Sequence, residues 1–230
     1  MTQRFEVFDL HTDVLNKLAG TSVQPGKTSV NAESLSRGGV TRACFACYCG
    51  RDTRTEAQLA AVEKQAAVLE QLQGHMGECR VYGAFEGLDY FYPEIPTELI
   101  KRVKPVYATL TWNHAGPICG SCAVDYRLTP FGKRVLRFLE KNGIRADLSH
   151  AGREAFWSVL DNTPLPIVTH SCADAVTPHR RNLTDEQIRA LIKRGSVIGL
   201  NFYSEFCGGT MESLVKHALH ILDMGGEKCL

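Results

Sequence analysis

The sequence predicts an α/β protein of the (β/α)8 TIM-barrel type, and three observations predict it. Strand-like and helix-like stretches alternate along the 230 residues, and repeated β-α units of about thirty residues imply a parallel sheet covered by helices. The first apolar run ends in His11-Thr12-Asp13, where a doubly wound, phosphate-binding sheet would carry a glycine fingerprint. Glu86, His150 and His170 each stand at the end of a later strand-like run, which is where a barrel gathers its active site.

Each element has a local reason. Phe5 to Leu10 reads as a short buried strand, and Val40 to Cys49, after Gly38-Gly39, as a second. Thr55 to Leu72 is rich in Ala, Glu, Gln and Leu and reads as a long helix stopped near Gly74. Val81 to Phe85 is a third strand, Pro96 to Arg102 a short helix, and Val106 to Thr111 a fourth strand. Thr129-Pro130 opens a helix with Pro at its first position, and Asn142-Gly143 closes it. Ile144 to Leu148, Pro166 to Thr169 and Ser196 to Phe202 are strands five to seven. Helices are expected over Gly152 to Leu160, from Thr184 to Gly195 with capping-box spacing to Gln187, and over Met211 to Met224. About seven β-α units result, within a single domain over residues 1–230.

Composition narrows the function. At 44% hydrophobic and 22% charged, the chain suits one globular domain with a full core. Lys+Arg 26 against Asp+Glu 25 leaves a net charge of +1, and the absence of a basic stripe argues against nucleic acid. Met1 to Phe5 shows no signal-peptide pattern and no stretch has the apolar length of a membrane span, so a soluble, cytoplasmic protein is expected. The odd count of nine cysteines favours reduced thiols. Cys44/Cys47 and Cys119/Cys122 have CxxC spacing, but Cys44-Phe-Ala-Cys47-Tyr-Cys49 reads as a buried strand using Cys as a small apolar filler.

The chemistry follows from the strand ends. Side chains at i and i+2 of a strand share a face, so His11 and Asp13 project together. With Glu86, His150 and His170 they form a set of N and O donors suited to zinc, manganese or a related divalent ion. Five ligands exceed what one catalytic zinc uses. Glu86 is the natural carboxylate to bridge two metals, which together would hold a hydroxide and polarise a carbonyl. That is hydrolytic chemistry without an organic cofactor.

The motifs HTD at 11–13, AFEG at 84–87, LTWN at 110–113, LTPFGKRVL at 128–136, DLSH at 147–150, THS at 169–171, RRNLTDEQIRAL at 180–191 and SVIGLNFY at 196–203 resemble, in order and over nearly the whole chain, the membrane (renal) dipeptidase family of zinc metallopeptidases. The resemblance implies a (β/α)8 barrel with two zinc ions that hydrolyses dipeptides, often tolerating a D-residue at the C-terminal position. It implies that His11 and Asp13 bind the first zinc, that Glu86 bridges and is the catalytic carboxylate, and that His150 and His170 bind the second. It assigns Arg181 to the substrate carboxylate, a task that suits a guanidinium fork. Family members often dimerise, so a homodimer is admitted.

Two departures stand out. Where vertebrate members place a substrate-polarising His after Leu-Thr, this chain has Trp112, and His114 is the candidate replacement. The chain stops at Leu230, where the family's eighth strand begins, so a GSDFDG-like segment and its Asp are expected to be missing. The domain is then a C-terminally incomplete barrel with open edges at strands one and seven. Three readings follow: a two-metal dipeptidase, a related hydrolase of another amide such as a lactam, and a catalytically impaired or inactive remnant or interaction protein that keeps the metal-binding face.

Among the remaining polar residues, Asp147 either orients a ligand histidine or makes a structural bond to a neighbouring strand. Asn113 and Asn201 are candidates to face the pocket, His179 either lines the pocket or only solvates the loop, and Tyr203 either lies near the substrate or packs at the barrel rim. Arg180 is expected at the surface, as are His75, His217 and His220.

Overall fold

The computed structural model describes residues 6–20, 25–52 and 54–230; Phe5, the first residue of the expected first strand, lies outside them. The chain divides into two compact units, Met1–Ala108 and Thr109–Leu230.

The first unit holds β1 (Val7–Thr12), α1 (Val14–Gly20), α2 (Ala32–Arg37), β2 (Val40–Tyr48), α3 (Thr55–Gln71), β3 (His75–Met76), β4 (Cys79–Glu86) and α4 (Thr97–Val103); β5 (Tyr107–Thr109) begins at its end. β1 pairs parallel with β2, and β2 parallel with β4, while β3 folds back antiparallel on β4. From Ala43 to Cys49 every residue is buried, as expected for a parallel strand covered on both faces. Gln65 of α3 explains how such a strand ends: its Oε1 accepts from the Tyr48 N–H (2.9 Å) and its Nε2 donates to the Tyr48 carbonyl (2.8 Å). A buried side-chain amide thus replaces the missing ladder bonds. Gly83 lets β4 approach α4, since a Cβ there would lie 2.3 Å from the Val103 carbonyl oxygen. The long helix is found where the sequence puts it. α1 and α2 were not expected: α2 is a short helix held by an unobvious capping box, Asn31 with Ser34.

The second unit holds α5 (Pro130–Lys141), β6 (Arg145–Asp147), α6 (Arg153–Leu160), α7 (Asp185–Arg194), α8 (Ser204–Cys207) and α9 (Met211–Asp223). Caps set the helix starts: the Thr129 side chain accepts from Gly132 N with Pro130 behind it, and Thr184 and Gln187 form the expected box. Val135 and Leu139, one turn apart on α5, are buried. Parallel pairing runs from Leu110 N to the Asp147 carbonyl, then by single bridges Asp147–Ile167 and Val168–Ile198.

The strands expected at 166–169 and 196–202 are therefore reduced to bridges. The physical reason is competition for backbone donors. Thr169 N–H goes to Asp147 Oδ1 and Ser149 Oγ, and His170 N–H goes to Ser149 Oγ, instead of to a ladder carbonyl. The seventh segment also has a partner on its far side, because Ile198 N–H donates to the Cys229 carbonyl (2.7 Å); its edge is not wholly open.

The surface placement of two histidines needs correction. His217 is fully buried on α9, its Nδ1 accepting from Ala173 N–H (3.0 Å). His220 is half-buried and its Nε2 lies 2.7 Å from Asp185 Oδ1. The amphipathic face of α9 carries both inward, which a helix-surface assumption misses. His75 is exposed.

Candidate metal centre

In the first unit the candidate ligands converge at the C-terminal ends of β1 and β4. His11 is the fifth residue of β1, whose register with β2 shifts between Asp9 and Thr12. That irregularity presents the end of the strand. His11 Nε2 lies 3.4 Å from Asp13 Oδ1 and 3.6 Å from Glu86 Oε1. Glu86 closes β4 and is buried, while Asp13 is exposed. The other ring nitrogen, Nδ1, lies 2.7 Å from the Tyr107 hydroxyl, which itself donates to the Leu10 carbonyl (2.9 Å). One imidazole nitrogen and two carboxylate oxygens thus face one another, the donor chemistry of a divalent metal.

In the second unit His150 and His170 are both buried, with ring centroids 5.0 Å apart. His150 has φ of +69°, a left-handed conformation that costs a non-glycine residue on the order of 1–2 kcal/mol. Its carbonyl is held by Cys122 N–H (2.7 Å) and its Nδ1 lies 2.8 Å from Asn113 Oδ1. His170 Nδ1 lies 2.8 Å from Thr169 Oγ1.

Of its two alternatives Asp147 takes the structural one, bonding to Thr109 and Thr169, and it reaches His170 only through the Thr169 hydroxyl. It is fully buried; Oδ2 accepts from Thr109 Oγ1 (2.6 Å) and Thr169 Oγ1 (2.7 Å), and Oδ1 from Ser149 N (3.0 Å), Ser149 Oγ (2.9 Å) and Thr169 N (3.0 Å). Burial works against its charge, but His170 and these donors outweigh it and hold the carboxyl below its ordinary range. It ties to Thr109 and, through the Thr169 hydroxyl, stands one step from His170 Nδ1.

Arg181 is buried beside His170: its Nη2 lies 3.4 Å from the His170 carbonyl oxygen, its Nη1 3.5 Å from Ser171 Oγ, and its guanidinium 5.5 Å from the Phe206 ring centre. His179 Nδ1 accepts from Arg181 N–H (3.1 Å), and its ring packs on Phe206. Asn201 Nδ2 donates to the His170 carbonyl (3.3 Å). Tyr203 is exposed and packs on Phe206, and Arg180 is exposed. His114 lies in the loop after Leu110, its ring edge-on to Trp112; the Trp112 ring also lies 6.2 Å from His150.

The supporting hydroxyls and the aromatic platform, Tyr107, Thr169, Ser171 and Phe206, had no signal at their own positions. Thr169 and Ser171 flank His170 within THS and could have been found as neighbours of a candidate ligand. Tyr107 and Phe206 could not.

The thiols pack as apolar groups. Cys44, Cys47, Cys49 and Cys119 are buried. Burial pushes the Cys47 thiol up to about 12 and raises Cys49 and the half-buried Cys122 as well, the opposite of a reactive or metal-binding thiolate. Among the described residues no helix is long and apolar enough to cross a membrane.

The fold matches solved metallopeptidases. It superposes with a TM-score of 0.88 and 22% identity on a dipeptidase, a metallo peptidase of family M19, covering 98% of this chain and 82% of that one. It superposes with a TM-score of 0.85 and 20% identity on a metallo peptidase from Rhodobacter sphaeroides liganded with a phosphinate mimic of the dipeptide L-Ala-D-Ala, covering 98% and 84%. The fold is thus the expected α/β, TIM-barrel-like one, with the barrel incomplete. Among curated sequences, an uncharacterized dipeptidase of Schizosaccharomyces pombe is 29% identical over 133 residues, 52% of this chain and 32% of its own length. An uncharacterized Klebsiella pneumoniae protein from the pqqA 5' region is 33% identical over 121 residues, 49% of this chain and 45% of its own. The chain therefore matches 32% and 45% of the length of these two relatives, less than half of each. Residues 99–230, more than half of the chain, match the family described as membrane dipeptidase. By that match the chain belongs to the membrane dipeptidase family, peptidase family M19.

Proposed function

We propose that this chain carries the chemistry of a zinc-dependent dipeptidase that hydrolyses the peptide bond of dipeptides. The carrying observation is the state of the histidines. His11 directs Nε2 at the Asp13 and Glu86 carboxylates, and the Nδ1 atoms of His11, His150 and His170 are each engaged by a neighbouring oxygen. Rings held at one nitrogen offer the other to a metal. The donors fit divalent metal, with His11, Asp13 and Glu86 as ligands from the first unit and His150 and His170 from the second, two zinc ions in all.

When bound, such ions supply Lewis acidity that ionises water near neutral pH and polarises a carbonyl. The chain's residues bind and orient. Glu86 is the catalytic carboxylate, buried so that it is held in one place. Arg181 grips the C-terminal carboxylate of the dipeptide; its burial strengthens the charge-assisted pair. His114 is a second substrate contact. The phosphinate dipeptide mimic bound by the Rhodobacter sphaeroides relative favours dipeptides ending in a D-residue as the first substrates to try. A related amide is the second reading, favoured by structural likeness to an amidohydrolase from Pseudomonas aeruginosa (TM-score 0.74, 19% identity).

The test is metal content by plasma mass spectrometry after dialysis against zinc and then buffer, followed by a panel of L,L- and L,D-dipeptides and cyclic amides. About two equivalents, lost in His150→Ala, with dipeptide cleavage, supports the reading. Metal near zero in the wild-type chain overturns it, and cleavage of cyclic amides alone selects the second reading.

A further inference from the structure

Two of the histidines are held by hydroxyls whose single protons are already committed. A carbonyl oxygen only accepts, so the Tyr107 hydroxyl must donate its proton to Leu10 O, 2.9 Å away. Its 2.7 Å contact with His11 Nδ1 is then a hydrogen bond in which Nδ1–H donates and the phenol oxygen accepts. The same logic holds at Thr169. Its hydroxyl lies 2.7 Å from Asp147 Oδ2, and Asp147 is surrounded by donors from Thr109, Ser149 and Thr169, the environment of an ionised, acceptor-only carboxylate. Were Thr169 to donate to His170 instead, two lone pairs would face each other across 2.7 Å. Thr169 therefore donates to Asp147 and accepts from His170 Nδ1–H, 2.8 Å away.

We infer that Tyr107 and Thr169 are positioning residues that fix His11 and His170 in the Nδ1–H tautomer, leaving Nε2 as the ligand atom of each ring before any metal arrives. The inference deepens the proposed metal centre and rests on that reading for its effect on affinity. The tautomer itself is a property of the metal-free chain. Without these acceptors an imidazole is free to place its proton on Nε2, and every binding event then requires the proton to move. Neither residue touches a metal or substrate. Asp147 acts one step further back, by aligning the Thr169 hydroxyl.

The experiment uses the full chain in three variants: Tyr107→Phe, which keeps the ring; Thr169→Val, which keeps the shape; and Thr169→Ser, which keeps the hydroxyl. Long-range 15N–1H correlation at pH 8 reads the tautomer of each ring in the metal-free protein, and competition against a chelator reads zinc affinity. His11 and His170 are expected as Nδ1–H in the wild type. Tyr107→Phe should release His11 and Thr169→Val should release His170, each weakening zinc about 10- to 100-fold, while Thr169→Ser restores both readouts. A merely structural role would not move a single ring's tautomer. Either ring found without a proton on Nδ1 in the wild type overturns the inference, as does a released tautomer with unchanged zinc affinity. A wild-type chain that takes up no zinc yet shows both rings as Nδ1–H overturns the metal centre and leaves the tautomer assignment standing.

Discussion

At the residue scale, Asp147 and His217 show how a buried polar group is kept. Asp147 has no exposed surface and its two oxygens accept from Thr109, Ser149 and Thr169. Asp147→Leu removes the acceptor and strands several donors at once. With each unsatisfied buried group costing about 1–3 kcal/mol, urea unfolding should show a loss of about 3 kcal/mol or more. A loss under 1 kcal/mol would show that water replaces the carboxylate. His217 is kept neutral: burial lowers its pKa, outweighing a hydrogen bond at Cys207, with His220 adding to the lowering. Its Nδ1 accepts from Ala173 N–H, which a second ring proton would abolish. A depressed histidine pKa means that the unfolded chain takes up the proton first. His217 therefore contributes stability above about pH 6.5, lost as pH falls below it. The fall in urea midpoint between pH 7 and pH 5 should be smaller in His217→Gln than in the wild type; equal falls would contradict it.

At the element scale, helix ends are where sequence and structure agree most closely. Thr129-Pro130 and Thr184-x-x-Gln187 place the starts of α5 and α7 because a cap is a local hydrogen bond between near neighbours. Gly195 closes α7 at φ of +64° with open space where a Cβ would stand, so Gly195→Ala should cost only the left-handed penalty, about 1 kcal/mol. Gly83→Ala should cost more, because its Cβ would stand 2.3 Å from a backbone oxygen of Val103; about 1–3 kcal/mol is the usual range for overpacking. Thermal unfolding of the two variants checks the order. Strands were less legible. The apolar runs at 166–169 and 196–202 have strand composition, yet the side chains of Asp147 and Ser149 take the N–H groups of Thr169 and His170. Those competitors sit about twenty residues earlier in the chain, beyond the reach of any local pattern.

For the whole molecule, metal and stability are linked. A ligand that binds the folded chain and not the unfolded one adds about 2.7 kcal/mol at a free concentration one hundred times its dissociation constant. In a chain of this size that is a rise in Tm of about 5–10 °C. Zinc added to the chelator-stripped protein should give such a rise, and His150→Ala should diminish it. An unchanged melting curve with zinc would argue against a folded-state metal site. Order of motifs along the chain carried the family: DLSH, THS and RRNLTDEQ lie within residues 99–230, the stretch that matches it.

The sequence by itself determined the alternation of helices and strands, the helix caps and the donor residues at the strand ends, because propensity, capping and residue chemistry act over a few neighbours. Only the tertiary structure decided which ring nitrogen of each histidine meets a neighbouring polar atom, that His217 is core rather than surface, and that His150 adopts a left-handed backbone. Those outcomes depend on partners distant in sequence, Tyr107 for His11, Asn113 for His150 and Ala173 for His217, and a hydrogen bond between such residues exists only once folding has brought them within about 3 Å.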